Sequence, residues 1–464
     1  MNKSKSKHDA EKRSAKGVLY ALVLTAAVAV LVFAFAACGT EPGGGAVPVP
    51  AAPPAAPAEP GVLVAEPGAR IEIAHWEGSP ADTAAWNTLF DLFVEAHPEI
   101  EFTRTIYPSP TFRDQLATRL AANHWPDVIR YTYPNIGRFK EAGVMLDLTD
   151  RVPPGTLDDL VPAFVSAAMH EGRMVAMPHH TDTMALFYNV RMFEESGIRI
   201  PEHEHDGWTW DELTDIARTL KADHGLMYAF GGIWENNNGV RFMPFMYANN
   251  GRVLSECMTY IVIDSPQNLE VLRLVETWRA EDLLMRTGFT QANQANALFA
   301  AEQIAFTFSG SWHCSFMEEN MPGNWAVTYM PRSPLGNTGS DLGGNSLWVY
   351  RGTPFPDASS IFVNFAGSPE AMRAFCEAGN FIPVRQSLIA EGMNYTYFQE
   401  EMDLFLRIVE TVDPFFASHI TSARFPQLNL IFGQEMDPLT IDASATAEQA
   451  LQRMHARMTE ALAE

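Results

Sequence analysis

The chain is short of cysteine, of basic side chains and of long apolar runs. Cysteine occurs four times in 464 residues, at Cys38, Cys257, Cys314 and Cys376. The last three are widely spaced and odd in number, which fits neither a disulfide framework nor a zinc ligand set. Each is expected as a small buried apolar residue. Lysine and arginine number 32 against 56 acidic side chains, for a formal charge of −24. That balance excludes nucleic acid as a partner, because phosphates demand a basic face. Only residues 17–37 are apolar enough to enter a bilayer. No internal repeat, nucleophile elbow or kinase signature is present. Gly343-Gly344-Asn345 lacks the spacing of a dinucleotide or phosphate loop. What remains is a length sufficient for two or more domains with real cores.

The N-terminus reads as a targeting segment. Lys3, Lys5, Lys7, Lys12, Arg13 and Lys16 precede the apolar run from Gly17 to Ala37. Phe35-Ala36-Ala37-Cys38 then resembles a bacterial lipobox, with Phe35 standing where an aliphatic residue is usual. The resemblance implies a signal peptide over residues 1–37, diacylglycerol on Cys38 and lipid attachment in the bacterial cell envelope, at a periplasmic or extracytoplasmic face. An uncleaved signal anchor is the alternative, since about 20 apolar residues can span a bilayer. Residues 38–70 are rich in proline, alanine and glycine and bury little, so they are expected as an extended tether.

Beyond the tether, strand and helix patterns alternate. Ile71 to His75 predicts a strand, followed by a polar loop Trp76-Glu77-Gly78-Ser79-Pro80. Trp86, Leu89, Phe90, Phe93 and Val94 repeat at helical spacing. Ile100, Phe102 and Ile106 suggest the next strand, Phe112, Leu116 and Leu120 a helix, and Pro126-Asp127-Val128-Ile129 opens a third strand. Such alternation predicts a parallel sheet with crossover helices. Thr209-Trp210-Asp211-Glu212 matches a capping box, and Ser265-Pro266 and Ser368-Pro369 are helix starts. Further strands are expected over Ile304–Phe308, Trp325–Met330 and Leu347–Tyr350, and the rest of the chain is mostly helical in pattern.

The pivot is Gly172 to Asn189. Gly172 to Met177 can turn and run as a short strand, Pro178 interrupts it, four polar residues follow, and Met184 to Tyr188 resumes. A proline and a polar quartet do not suit a central strand. The stretch is therefore expected to cross between two lobes, with His179, His180 and Asp182 at a cleft.

Taken together, several segments resemble the sugar-binding, maltose-binding-protein-like family of extracellular solute-binding proteins that serve ABC importers. The carriers are Pro126-Asp127-Val128, Gly143 to Thr149, Gly172 to Asn189, Thr209 to Leu213, Phe299 to Trp312 with its Gly310-Ser311-Trp312, and Phe381-Ile382-Pro383-Val384-Arg385. The resemblance implies an α/β, periplasmic-binding-protein-like fold of two discontinuous lobes with a ligand cleft and a hinge. Lobe one would take residues 71–178 and 332–380, lobe two 179–331 and 381–464. It also implies a carbohydrate ligand, ABC permease subunits as partners, a monomer, no cofactor and no catalysis.

A sugar needs flat aromatics for its C–H faces and carboxylates or amides around its hydroxyl rim. Ligands of open parallel sheets sit beyond the strand C-termini. On that logic the candidates are Trp312, at the family's Gly-x-Trp position; Trp76 and Glu77, after the first strand; Tyr131; Asp182, with His180 behind it; Trp234, Glu235 and Asn236 in one loop; Asn345 beside two glycines; and Arg385. Asp127 is expected to be structural. His179-His180-Thr181-Asp182 and His203-Glu204-His205 have no metal-binding spacing, so no metal is assigned. A membrane-tethered glycoside-active enzyme using Glu77, Asp182 or Glu235 would need two carboxylates at a fixed separation. A glycerol-phosphate-like or other polar solute stays open as the ligand.

Overall fold

Residues 62–108, 111–234, 239–291 and 294–463 are described by the computed structural model. The signal segment, Cys38, most of the tether, Glu235 and Asn236 lie outside them. Two sheets organise the described chain. The first is built on β1 (Arg70–Glu77), which pairs in parallel with β2 (Glu101–Pro108) and with β3 (Val128–Thr132). The crossover from β1 is the helix Pro80–Ala96, with Ser79 accepting from the Asp82 N–H at its start. Leu89, Phe90 and Phe93 face the sheet from this helix, each contributing about 1.5–3 kcal/mol by burial, while Val94 is exposed.

A short hairpin, β4 (Met169–His170) and β5 (Arg173–Met174), turns at Glu171 and Gly172. The chain then enters β6 (Met177–His180), so the strand expected over Gly172–Met177 starts later and runs through Pro178. This is permitted because β6 is the edge of the first sheet, in the order β2-β1-β3-β11-β6. A proline there removes no ladder donor that a central strand would need.

From Thr181 the chain leaves for the second sheet. It comprises β7 (Met184–Asn189), β8 (Phe230–Gly232), β9 (Phe306–Gly310) and β10 (Trp325–Thr328), in the order β10-β7-β9-β8. Only β8 and β9 are parallel here, so the second sheet is mixed. The chain returns through residues 329–344 to β11 (Asn345–Val349), which lies antiparallel between β3 and β6. A third pass brings Ile382 back to Thr181, where the two backbones exchange hydrogen bonds of 2.8 and 3.2 Å.

The helix signals hold closely. Thr209 and Glu212 form the reciprocal capping box of Trp210–His224, and Ser265 and Ser368 cap Pro266–Ala280 and Pro369–Gly379. Three expectations shift. β1 continues through Trp76 and Glu77 rather than ending at His75. Cys314 and Cys376 are buried, but Cys257 is exposed. The last residues of the expected tether are docked: the Glu66 carboxylate accepts from the Asp357 and Ala358 N–H groups at 2.8 and 3.0 Å, capping the helix Pro356–Ala366.

Candidate functional site

Three passes of chain lie side by side at the waist between the sheets, and Trp76, His180, Asp182, Trp312 and Asn345 gather there. Asp182 sits on the first pass. Its carboxylate accepts from the Gly344 N–H at 3.0 Å and from Arg241 at 3.1 Å. Gly343 is required beside it, because a Cβ there would fall 1.6 Å from the Asp182 oxygen. Gly344 has φ +78°, and a Cβ would strike the His180 carbonyl at 2.4 Å. The two glycines thus bring their backbone against the crossing chain itself.

Arg241 also pairs with Asp341, whose carboxyl is 1% exposed. Burial pushes the Asp341 pKa up to about 6, against the pull of Arg241 and with a further push from Asp182. The Arg241 guanidinium lies 4.4 Å over the Trp312 ring. Trp312 follows the C-terminal end of β9, its six-membered ring against Gly310, and is 40% exposed.

The first sheet carries a matching unit. Trp76, near the end of β1, is half-buried, with the Arg130 guanidinium 4.2 Å over its ring and Phe112 at 4.7 Å. Arg130 donates to the Trp76 carbonyl at 2.7 Å and pairs with Asp82 at 3.1 Å. Its other side faces His180 Nε2 at 3.2 Å. The Asn345 amide is satisfied when its oxygen faces His180 at 2.9 Å and Arg130 at 3.2 Å, and its nitrogen the Gly344 carbonyl. A continuous belt therefore runs from Trp76 through Arg130, His180, Asn345, Gly344, Asp182 and Arg241 to Trp312. It joins both sheets, with Trp76 near the C-terminal end of β1, His180 at that of β6, Asn345 at the start of β11 and Trp312 just past the end of β9.

The other candidates lie elsewhere or are otherwise engaged. Glu77 accepts from Arg104 at 2.7 Å and from Thr83 at 2.7 Å. Tyr131 is inside β3 and buried, its hydroxyl accepting from Arg138 at 2.7 Å. Trp234 is 1% exposed, packed in a core of Phe242, Phe289 and Phe308. Arg385 is buried in an ion pair with Asp159 at 2.7 Å and donates to the Gly367 carbonyl at 2.6 Å. Asp127 is structural, accepting from the Glu72 N–H at 2.7 Å. His179 and His180, expected at the cleft, are strand residues and fully buried, as is His75. Burial, then the Arg130 charge, pushes His75 and His179 down to about 3 and His180 well below its ordinary value. Among the described residues no group of three His, Cys, Asp or Glu side chains is arranged to hold a metal.

Two cavities lie off the belt. One of about 270 Å³ is lined by Tyr247, Asn337 and Asp413, and one of about 350 Å³ by Leu120, Trp125 and Phe139. The belt is the candidate site, since it alone of the three places links the two sheets, and neither cavity is lined by a belt residue.

Residues 88–396, more than half of the chain, match the family described as bacterial extracellular solute-binding protein. The chain belongs to that family. Relatives of this solute-binding protein include the sn-glycerol-3-phosphate-binding periplasmic protein of Salmonella typhimurium, 22% identical over 327 residues, which are 68% of this chain and 71% of the relative. Among solved structures, the cyclic alpha-maltosyl-1,6-maltose binding protein of Arthrobacter globiformis superposes with a TM-score of 0.74 at 18% identity, covering 85% of this chain and 98% of that one. The sugar-binding protein MalE of Xanthomonas citri gives 0.71 at 18% identity, over 85% and 97% of the two chains. At these identities the likeness establishes the two-lobe α/β fold.

Arg130, Asp82, Arg241 and Asp341 were not singled out from the sequence. Arg130 carried a signal, a charge inside the apolar run Val128-Ile129-Arg130-Tyr131 that has to find a buried partner. Arg241 and Asp341 carried none, lying 100 residues apart in ordinary polar surroundings.

Proposed function

We propose that this solute-binding protein is a lipid-anchored receptor that captures a carbohydrate between its lobes and delivers it to an ABC permease. The single observation that carries this is the belt, which sets a half-exposed indole and hydrogen-bonding carboxylates on chain belonging to both sheets. A solute lying on it would touch both lobes at once, and contacts made only when the lobes close favour the closed form. The lobes would run over residues 71–178 with 332–380, and 179–331 with 381–464. Trp312 is the stacking surface in this reading. Asp182 supplies the rim, with Arg241 held beside it. Micromolar affinity, about −8 kcal/mol, suits a receptor that must also release its load.

Support for the carbohydrate comes from what the structural neighbours are named as binding, and from the belt's chemistry. A thermal-shift screen of mono- and oligosaccharides, with anionic solutes included, tests it. At least one neutral sugar should raise Tm, and titration calorimetry should return a Kd in the micromolar range. Hydrolysis of an oligosaccharide on incubation would overturn the reading in favour of a glycoside-active enzyme. The anchor is a separate step. Residues 1–37 would be removed and Cys38 lipidated, and no helix among the described residues is long and apolar enough to cross a membrane. Mass spectrometry should find a diacylglyceryl-cysteine at the mature N-terminus, and Cys38→Ala should abolish it.

A further inference from the structure

We propose that Asp182 and Asp341 act as a charge filter on the belt, neutralising Arg241 so that uncharged solutes are taken and phosphate-bearing ones are turned away. The inference rests on the belt being the ligand site. A phosphate group is bound by guanidinium or ammonium donors left available to it. The belt holds two guanidiniums, and both are committed. Arg130 is paired with Asp82 in a site where the side chains are 2% and 6% exposed. Arg241 is shared by Asp182 and Asp341. Three carboxylates thus face two guanidiniums, and the buried imidazoles of His75, His179 and His180, held neutral, add no positive charge.

Asp182 is moreover held in place from several sides. The Gly344 N–H and Arg241 donate to its carboxylate, and its own carbonyl accepts from the Gly343 N–H at 3.3 Å. The residue before it is fixed as well, because the Thr181 hydroxyl donates to the Gly343 carbonyl at 3.1 Å. The space a side chain at position 343 would need is filled by the Asp182 carboxylate. A carboxylate so fixed cannot swing away to free Arg241 for an incoming anion, and Asp341 has no exposed surface into which it could retreat. The indole of Trp312 covers one face of the guanidinium by stacking on it, leaving the Arg241 side chain 17% exposed. An arriving phosphate would meet the partly exposed Asp182 carboxylate, with its natural partner already shared by two carboxylates. A sugar hydroxyl would meet acceptors.

The test is titration calorimetry of the full-length protein with two probes, maltotriose and sn-glycerol 3-phosphate. Wild type should bind the phosphate with a Kd above 1 mM. Asp182→Asn keeps the shape and an acceptor oxygen for Gly344, and should bind the phosphate at least tenfold more tightly than wild type. Asp341→Asn should do the same, and if it fails to fold, the partly exposed Asp182 carries the test alone. Micromolar binding of sn-glycerol 3-phosphate by wild type overturns the filter, as does an Asp182→Asn variant, folded by circular dichroism, that gains nothing. Rejection of both maltotriose and the phosphate by wild type, with phosphate binding gained in Asp182→Asn, supports the filter while removing maltotriose from the carbohydrate reading.

Discussion

The two tryptophans of the belt are built alike and are placed to do different things. Each follows or ends a strand of its own sheet, and each has an arginine stacked on it, at 4.2 Å for Trp76 and 4.4 Å for Trp312. Around Trp76 the arginine donates to a backbone carbonyl, a buried carboxylate and the Asn345 amide oxygen, which also accepts from the His180 imidazole. Around Trp312 the arginine side chain is 17% exposed and the indole far more so. Stacking of this kind is worth about 0.5–1 kcal/mol when exposed and about 2 when desolvated. The same pairing therefore stiffens one half of the waist and presents a surface in the other. Burial, and not residue type, separates the two tryptophans, and the proposed reading assigns the more exposed one to the ligand.

The sharpest way to break that comparison is acid. His75, His179 and His180 cluster around Arg130 in the first unit and are neutral when folded, with His75 and His179 near 3. In the unfolded chain they protonate below about 6.5. The unfolded state then binds more protons, so stability is full above pH 6.5 and is lost as pH falls toward about 3, at about 1.4 kcal/mol per pH unit for each histidine. Tm should drop steeply between pH 6.5 and 5, with the buried His419 adding to the loss and Asp341, pushed up to about 6 when folded, offsetting part of it. His179→Phe should make that slope shallower, and a Tm that stays level across the window would rule the account out.

Next in size is the arginine exchange. Arg130→Met leaves Asp82 buried and alone, which should cost about 3–5 kcal/mol in a denaturant titration. Arg241→Met should cost less, because Asp182 is partly exposed and Asp341, already pushed up to about 6, can take a proton. The gap between the two variants should widen at pH 5.5, where Asp341 is protonated more readily. Equal losses at both pH values would mean that the two units are not differently built.

Much of this architecture was legible before the structure, and the reason is local. Capping residues at Thr209, Ser265 and Ser368 act within one turn, and the aromatic spacing of the first helix reports its own buried face. Pro178 was legible as a disruption, although it lies inside an edge strand, because an edge tolerates what a centre does not. Of the proposed site, Trp312 was picked out through motif position and Asp182 through the crossing. Tyr131 and Trp234 were chosen by residue type and local position and Arg385 by its family position, none of which reports burial: Trp234 went to the core and Arg385 to an ion pair. Arg241 and Asp341 were missed because their meeting is a product of two separate passes of chain, which no spacing along the sequence encodes.

The smallest effect is also the one that separates the two tryptophans most directly. Trp312→Ala removes a surface indole from a site whose arginine keeps both carboxylate partners. Its effect on unfolding free energy should stay within about 0.5 kcal/mol, the range for surface substitutions. On the proposed reading it should weaken sugar binding tenfold or more, about 1.4 kcal/mol. Trp76→Ala should show the opposite balance, since its ring is wedged between Arg130 and Phe112 and its loss opens a cavity beside a buried charge. Thermal melts and calorimetry on the two variants decide the matter together. If Trp312→Ala melts early and still binds, the exposed indole is serving the fold, and the surface assigned to the ligand has to be sought around Trp76.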